Sequence, residues 1–409
     1  LGWEKPGVRM KSTWPLLLLF GAAILWVIIQ SFSMTPPGWH HPLWISAGDA
    51  LDMTLTSRIS LNPYESMSVA CRLLTYAGIF WLSLQHCRRS DRARQVIYAV
   101  TYSGLAYAVY GLLVQFSGSQ TILWFSKFAY LDDLTSSFVN RNSFATYAGL
   151  ALMCTTGLIL IAMTSALGQT ASSRERLRQF IENMTGREWS LLLAWIVIIA
   201  ALIMSHSRAG FASTLLGLAT FVAALWFSRA LSARYILVFG GFCVIAVSLF
   251  FAVGGGELDQ RIAEATWVDE PRLRVYDLTL SAIDAAPILG TGAGTFEEVF
   301  RFYRTTDITD VYMKAHNTYL ENILELGFPA ALALFGALVW AVVLICVGLR
   351  RRQRDVFYPC IGLASTALVA AHSAVDFSLQ IPAVTATYCL IMGAACAQCW
   401  SSRKIKDPW

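Results

Sequence analysis

The feature that most constrains this chain is the length of its apolar runs. Stretches of about twenty largely hydrophobic residues recur along it, which is what a helix needs to cross the hydrocarbon of a bilayer. Inside lipid the backbone has to satisfy its own hydrogen bonds, so each run is predicted to be a helix. Ten spans follow, at residues 14–32, 69–86, 95–116, 143–166, 189–204, 209–227, 235–253, 322–348, 357–373 and 380–400. Of the 409 residues, 56% are hydrophobic and 14% are charged, whereas a soluble domain carries about a quarter charged residues. The expected fold class is therefore all-α, a polytopic membrane helix bundle. The fifth and sixth runs are separated only by Ser205-His206-Ser207-Arg208, which predicts a tight helical hairpin.

The basic residues set the direction of threading. One set of connections and termini, carrying Lys5, Arg9, Lys11, Arg88, Arg89, Arg92, Arg94, Arg187, Arg350 to Arg352 and Arg403 among others, holds 20 of the 31 Lys and Arg. By the positive-inside rule this side and both termini are cytoplasmic. The first run lacks a small-residue cleavage site and reads as a retained helix rather than a signal peptide. The expected organisation is 1–253 as N-terminal transmembrane helices, 254–321 as a large outer loop with amphipathic helices, and 322–409 as C-terminal transmembrane helices. The net charge of +5 is dispersed in short clusters between apolar runs, so nucleic acid is not an expected partner; the lipid bilayer is. Most of the nine cysteines lie in or at the inner ends of apolar runs, and no structural disulfide is expected. Cys396 and Cys399 form a C-x-x-C pair with no second pair to complete a zinc site.

The unusual polar residues gather on the outer side. Arg141 and Arg208 each sit against the outer end of a span, where a cation is costly unless it is paired or faces a polar cavity. Asn140, Asn142, Ser205 and Ser207 flank them. The outer segments hold nine arginines but two lysines, and the guanidinium fork suits phosphate oxygens. That bias points to a phosphorylated ligand. Arg272 and Arg274 follow Pro271 at the start of an expected helix, 272–285, and being two apart they cannot share a face. Arg301 and Arg304 share one if 295–304 is helical. The glycine-rich segment 288–296 has no preceding strand, so it reads as a close-packed turn or as backbone N–H groups offered to an anion. His316, where the outer loop enters the next span, is the candidate general base. Glu321 and Glu325 behind it have the alternative role of meeting the helix dipole. His372 and Asp376, spaced i, i+4, read as a structural pin. The adjacent Asp132 and Asp133 carry little weight. No metal-ligand cluster is visible, so neither a metal nor a cofactor is expected.

Taken together, Phe138-Val139-Asn140-Arg141-Asn142, Ser205-His206-Ser207-Arg208-Ala209-Gly210, Pro287-Ile288-Leu289-Gly290-Thr291-Gly292 and His316-Asn317-Thr318-Tyr319-Leu320-Glu321 resemble, in content and order, the O-antigen ligase superfamily. The turn from His372 to Pro382 does so as well. The likeness covers about residues 95–400. It implies a metal-independent glycosyltransferase of the GT-C type, with ten to twelve transmembrane helices and its active site on the periplasmic face of the bacterial inner membrane. The donor would be a glycan on undecaprenyl diphosphate and the acceptor lipid A-core oligosaccharide, the product being complete lipopolysaccharide. His316 would be the base. Arg208, Arg141 and Arg272 or Arg274 would hold the diphosphate, with Asn140, Asn142, Ser207, Asn317, Tyr319, Glu321, His372 and Asp376 in support. Two alternatives stand beside this reading. One is an O-antigen or exopolysaccharide polymerase of the same superfamily; the other, from a different class, is a lipid-linked glycan transporter.

Overall fold

A computed structural model describes residues 10–166, 185–228, 270–306, 310–352 and 355–400, together with Gly241 and Ile308. The helices are α1 Met10–Ser31, α2 Leu43–Leu51, α3 Pro63–His86, α4 Ser90–Phe116, α5 Arg141–Ala166, α6 Gly186–Met204, α7 Arg208–Phe227, α8 Glu270–Ala285, α9 Phe296–Tyr303, α10 Thr318–Arg351, α11 Phe357–Ser373 and α12 Pro382–Ala397. A two-stranded hairpin, β1 Thr121–Ile122 with β2 Phe125–Ser126, lies between α4 and α5. Nine of the ten predicted spans coincide with helices; the seventh, 235–253, lies outside the described residues apart from Gly241, as does the 254–269 part of the outer loop. Among the described residues, seven helices (α1, α3, α4, α5, α6, α7 and α10) are long and apolar enough to cross a membrane. The protein is a polytopic helical membrane protein.

The chain falls into two compact units. The first takes its described residues from Leu1–Gly78, Asp259–Val343 and Ser373–Pro382, the second from Ile79–Leu258, Leu344–His372 and Ala383–Trp409.

In the second unit α5 is the central post. Its most apolar window is 89% buried, against a third or less for the corresponding windows of α4 and α6, and α4, α6 and α7 all pack on it. Small residues allow the close approach. A methyl group on Gly104 of α4 would collide with Ala151 of α5, one on Gly149 with Thr214 of α7, and one on Gly210 with Ala145. The predicted α6–α7 hairpin is present. Its turn is three residues long: Ser205 ends α6, His206 takes a left-handed conformation (φ 51°), and the Ser207 hydroxyl accepts from the Gly210 N–H to cap α7.

In the first unit α8, α9 and the start of α10 enclose an apolar core of Val275, Leu278, Ile283, Phe296, Phe300 and Leu324. On α9 the buried Phe296, Val299 and Phe300 fall at i, i+3 and i+4, while Arg301 faces outward and pairs with Glu297. This is the amphipathic pattern expected for the outer loop. Arg304 does not share the Arg301 face, because the chain turns extended there and α9 ends at Tyr303. A second cluster joins Val27 of α1, Ala70 of α3 and Leu326, Ala330 and Ala331 of α10. On the outward faces of α1 and α10, Leu17, Leu18, Leu25, Leu332 and Val339 are exposed, as they must be when lipid is the solvent.

The span predicted to run unbroken from 322 to 348 is interrupted. Gly327 has φ 74° and ψ 161°, which is not helical, and Pro329 follows. The break admits the glycine-rich segment: the Phe328 N–H donates to the Pro287 carbonyl (2.8 Å), and any side chain at Gly327 would strike Ile288. Only glycine combines that φ with that contact.

Candidate functional site

His316 ends the outer segment just before α10, held in a left-handed conformation (φ 51°). Asn317 caps the helix behind it, its side-chain oxygen accepting from the N–H groups of Tyr319 and Leu320, the arrangement helix N-termini favour. The imidazole Nδ1 lies 3.2 Å from Asp376 Oδ1, with side-chain exposures of 19% for the histidine and 0% for the aspartate. The rings of Tyr312 and Phe377 stand edge-on to it. Asp376 is itself fixed: Ser378 donates to its Oδ2, and Thr318 donates to its backbone carbonyl at 2.9 Å. With a carboxylate as acceptor, Nδ1 carries the proton and the Nε2 lone pair faces away from the aspartate. That is the orientation a general base requires.

Of the two arginines after Pro271, Arg272 is the one placed beside these groups. It is half-buried and Arg274 exposed. One turn along α8 from Arg272, the Tyr276 hydroxyl donates to the His316 carbonyl at 2.9 Å. Burial and the nearby Asp376 push the Tyr276 phenol up, and the Arg272 guanidinium partly offsets them. Tyr276 thus joins α8 to the histidine, a link sequence reading missed.

Behind His316 the glycine-rich segment meets a buried carboxyl group within the protein. The Glu325 carboxylate accepts from the N–H groups of Gly294 (2.7 Å) and Phe296 (3.2 Å), and its backbone carbonyl accepts from Gly292 (3.0 Å). Gln30 of α1 donates to the carbonyls of Leu289 and Glu325. Glu321, which is buried, accepts from the Ala315 N–H at 2.9 Å and pairs with Lys314 at 3.2 Å. Burial alone would lower the Lys314 ammonium; the carboxylates of Glu321 and Glu325 outweigh it and hold it above the usual lysine value. Both acids therefore brace the loop, a larger role than meeting the helix dipole. Tyr319 packs edge-on against Phe335.

The second unit holds Arg141 and Arg208. Arg141 opens α5 and donates to Asp133 Oδ2 at 2.7 Å, its guanidinium lying over the Tyr130 ring. The other Asp133 oxygen is 2.9 Å from His206 Nδ1, with exposures of 45% for the histidine and 14% for the aspartate. Burial pushes the Asp133 carboxyl up, but the hydrogen bonds and charges of His206 and Arg141 outweigh it and hold it below the usual carboxylate range. Asn140 caps α5 by accepting from the Asn142 N–H (2.7 Å), and the Asn142 side chain accepts from the Ser207 hydroxyl (2.7 Å), tying the starts of α5 and α7 together. Thr146, which donates to the Asn142 carbonyl, also meets His372 Nδ1 at 2.5 Å. Arg208 is exposed as the first residue of α7. Two helix N-termini, each carrying an arginine, thus share one end of this unit, and their dipoles add to the positive potential there.

The predicted site residues are therefore divided. His316, Asp376, Arg272, Asn317 and Glu321 belong to the first unit, and Arg141, Arg208, Asn140, Asn142, Ser207 and His372 to the second. His372 meets Thr146, and Asp376 meets His316. The pairing of Asp133 with His206 has no signal in the sequence, since Asp133 stands in an acidic pair without a recognisable spacing and His206 has no partner close to it in the chain.

A search of curated proteins finds no match to the chain. A family profile described as O-antigen ligase matches residues 192–335. The matched stretch covers about a third of the chain and runs from α6 into α10, taking in the Ser205–Arg208 turn, the glycine-rich segment and His316; Arg141 and Asp376 lie beyond its ends. By that match, the segment carrying the turn, the loop and the histidine is similar to the O-antigen ligase family.

Proposed function

We propose that this protein is an O-antigen ligase of the bacterial inner membrane, with both termini cytoplasmic and its chemistry at the periplasmic surface. It transfers a glycan from undecaprenyl diphosphate to a sugar of lipid A-core oligosaccharide, without a metal and with inversion. The observation that carries the reading is His316, backed by a buried aspartate, inside the stretch that matches the ligase family.

In this scheme His316 Nε2 takes the proton of the acceptor hydroxyl as its oxygen attacks the anomeric carbon. The new glycosidic bond forms while the bond from that carbon to the diphosphate oxygen breaks. The electron pair leaves with undecaprenyl diphosphate, and a single displacement inverts the anomeric centre. Asp376 stabilises the imidazolium and fixes its tautomer. Arg208, Arg141 and Arg272 stabilise negative charge on the departing diphosphate, the task a metal performs in other transferases. Arg208, exposed and without an ion pair among the described residues, has its whole fork available.

The test is transfer by the purified full chain from a defined lipid diphosphate donor, with and without lipid A-core, in the presence of a chelator. Chelator-resistant glycosylation of lipid A-core, abolished by His316→Ala, is the expected result. Unchanged transfer by H316A removes the base. In a deletion strain, loss of every capped lipopolysaccharide band identifies a ligase, whereas bands with a single repeat identify a polymerase.

A further inference from the structure

At the other end of the second unit from Arg141 is a cavity that the proposed reaction does not use. It has a volume of about 560 Å³. Six of its lining residues, Ser90, Asp91, Arg94, Gln95, Tyr98 and Tyr102, come from one face of α4, and the seventh, Arg187, from the start of α6. Spacings of three and four place the α4 residues in a row along the helix. α4 ends at Phe116, so about 20 Å of helix rise separates Tyr102, the last lining residue, from the end of α4 near Asp133 and Arg141.

Two guanidinium groups and two phenol rings line the cavity. The Arg187 guanidinium lies over the Tyr98 ring, 5.5 Å from its centre. Tyr98 and Tyr102 stack at 5.9 Å, and the hydroxyls of Tyr102 and Ser190 meet at 2.7 Å, joining α4 to α6. Arg94 lies against the Tyr358 hydroxyl of α11. The nearby acids are engaged elsewhere. Asp91 takes both bonds from Arg89, at 3.0 Å each, and Glu188 accepts from the Thr185 N–H in the capping box of α6. No ion pair ties Arg94 or Arg187 to a carboxylate among the described residues. The cavity therefore presents two forked cations with spare donors.

We propose that this cavity binds the phosphate headgroup of an anionic phospholipid. It opens at the ends of two membrane-spanning helices, the depth at which headgroups lie and where tyrosine is enriched. Arginine forks match phosphate oxygens bidentately, and the tyrosine rings give the glycerol part an amphipathic wall. The space exceeds what a bare phosphate ion fills. The proposal is independent of the ligase reading and stands or falls without it.

The test is native mass spectrometry of the full chain released from nanodiscs holding equal phosphatidylglycerol and phosphatidylcholine. The wild type is expected to retain phosphatidylglycerol selectively. Retention should fall on the order of fivefold for each of Arg94→Gln and Arg187→Gln, while Arg92→Gln, a change outside the cavity, leaves it unaltered. Should R94Q or R187Q not fold, lysine at the same position keeps the charge, loses the fork and gives intermediate retention. Equal retention of the two lipids, equal loss with R92Q, or displacement of the bound lipid by millimolar inorganic phosphate would each overturn the assignment.

Discussion

Two histidines of this protein sit in the same left-handed backbone conformation, and each turns its Nδ1 to an aspartate. What surrounds them differs. In the first unit Asp376 is fully buried and receives a serine hydroxyl, and His316 is enclosed by the edges of Tyr312 and Phe377. In the second unit Asp133 divides its two oxygens between His206 and the Arg141 guanidinium, and His206 is nearly half exposed. A buried carboxylate beside Nδ1 fixes the orientation of the imidazole. A carboxylate shared with a guanidinium spends its charge holding an arginine. On the proposed reading, the same local geometry serves a base in one unit and a clamp in the other.

The sharpest way to break this contrast is to remove each ring in turn. His316→Ala is expected to lower the initial rate of glycan transfer by about 10²- to 10⁴-fold, the usual worth of a positioned acid or base. His206→Ala should cost less than about tenfold, as expected of a residue that acts through Arg141. Comparable losses at the two positions would end the distinction. Asp376→Asn comes next. It preserves volume, but its amide can offer Nδ1 a donor and so select the wrong tautomer. The expected loss is about a hundredfold, carried by kcat, with KM for the acceptor unchanged. A loss confined to KM would make Asp376 a binding residue.

Much of the fold was legible because membranes leave few choices. The spans, the α6–α7 turn and the helix after Pro271 follow from run length and punctuation alone. The break in α10 was also written in the sequence, as Gly327 followed by Pro329, but the apolar run through them masked it. The candidate site was legible in its residue types and not in its pairings. His316 and Asp376 are 60 positions apart, and Asp133 and His206 are 73 apart. No local period joins them. Glu325 shows the same limit: its position suggested a dipole partner, and only the folded loop reveals three backbone contacts from the glycine-rich segment.

A smaller effect sharpens the clamp side of the comparison. Asp133→Asn removes the ion pair that orients Arg141, and KM for the lipid diphosphate donor is expected to rise about tenfold with kcat little changed. That size is what one charge-assisted contact is worth. Arg141→Gln should match it, and the double variant should add little to either, since the two residues act as one unit. A fall in KM with D133N would instead mean that Asp133 competes with the donor for Arg141.

The smallest expected effect is on stability against pH, and its sign separates the units again. The folded-state value of Asp133 is depressed, so its tie to Arg141 and His206 contributes fully above the ordinary carboxylate value of about 4 and is lost as pH falls through the depressed value. The folded-state value of Lys314 is raised, so its pairing with Glu321 contributes fully below the ordinary lysine value of about 10.4 and is lost as pH rises through the raised one. Thermal melting in detergent should therefore show the acid slope flattened by D133N and the alkaline slope flattened by Lys314→Gln. Each change should be a few degrees at most, because each concerns one partly hydrated pair. If D133N leaves the acid slope untouched, Arg141 and His206 do not hold Asp133 ionised, and the second histidine is no clamp at all.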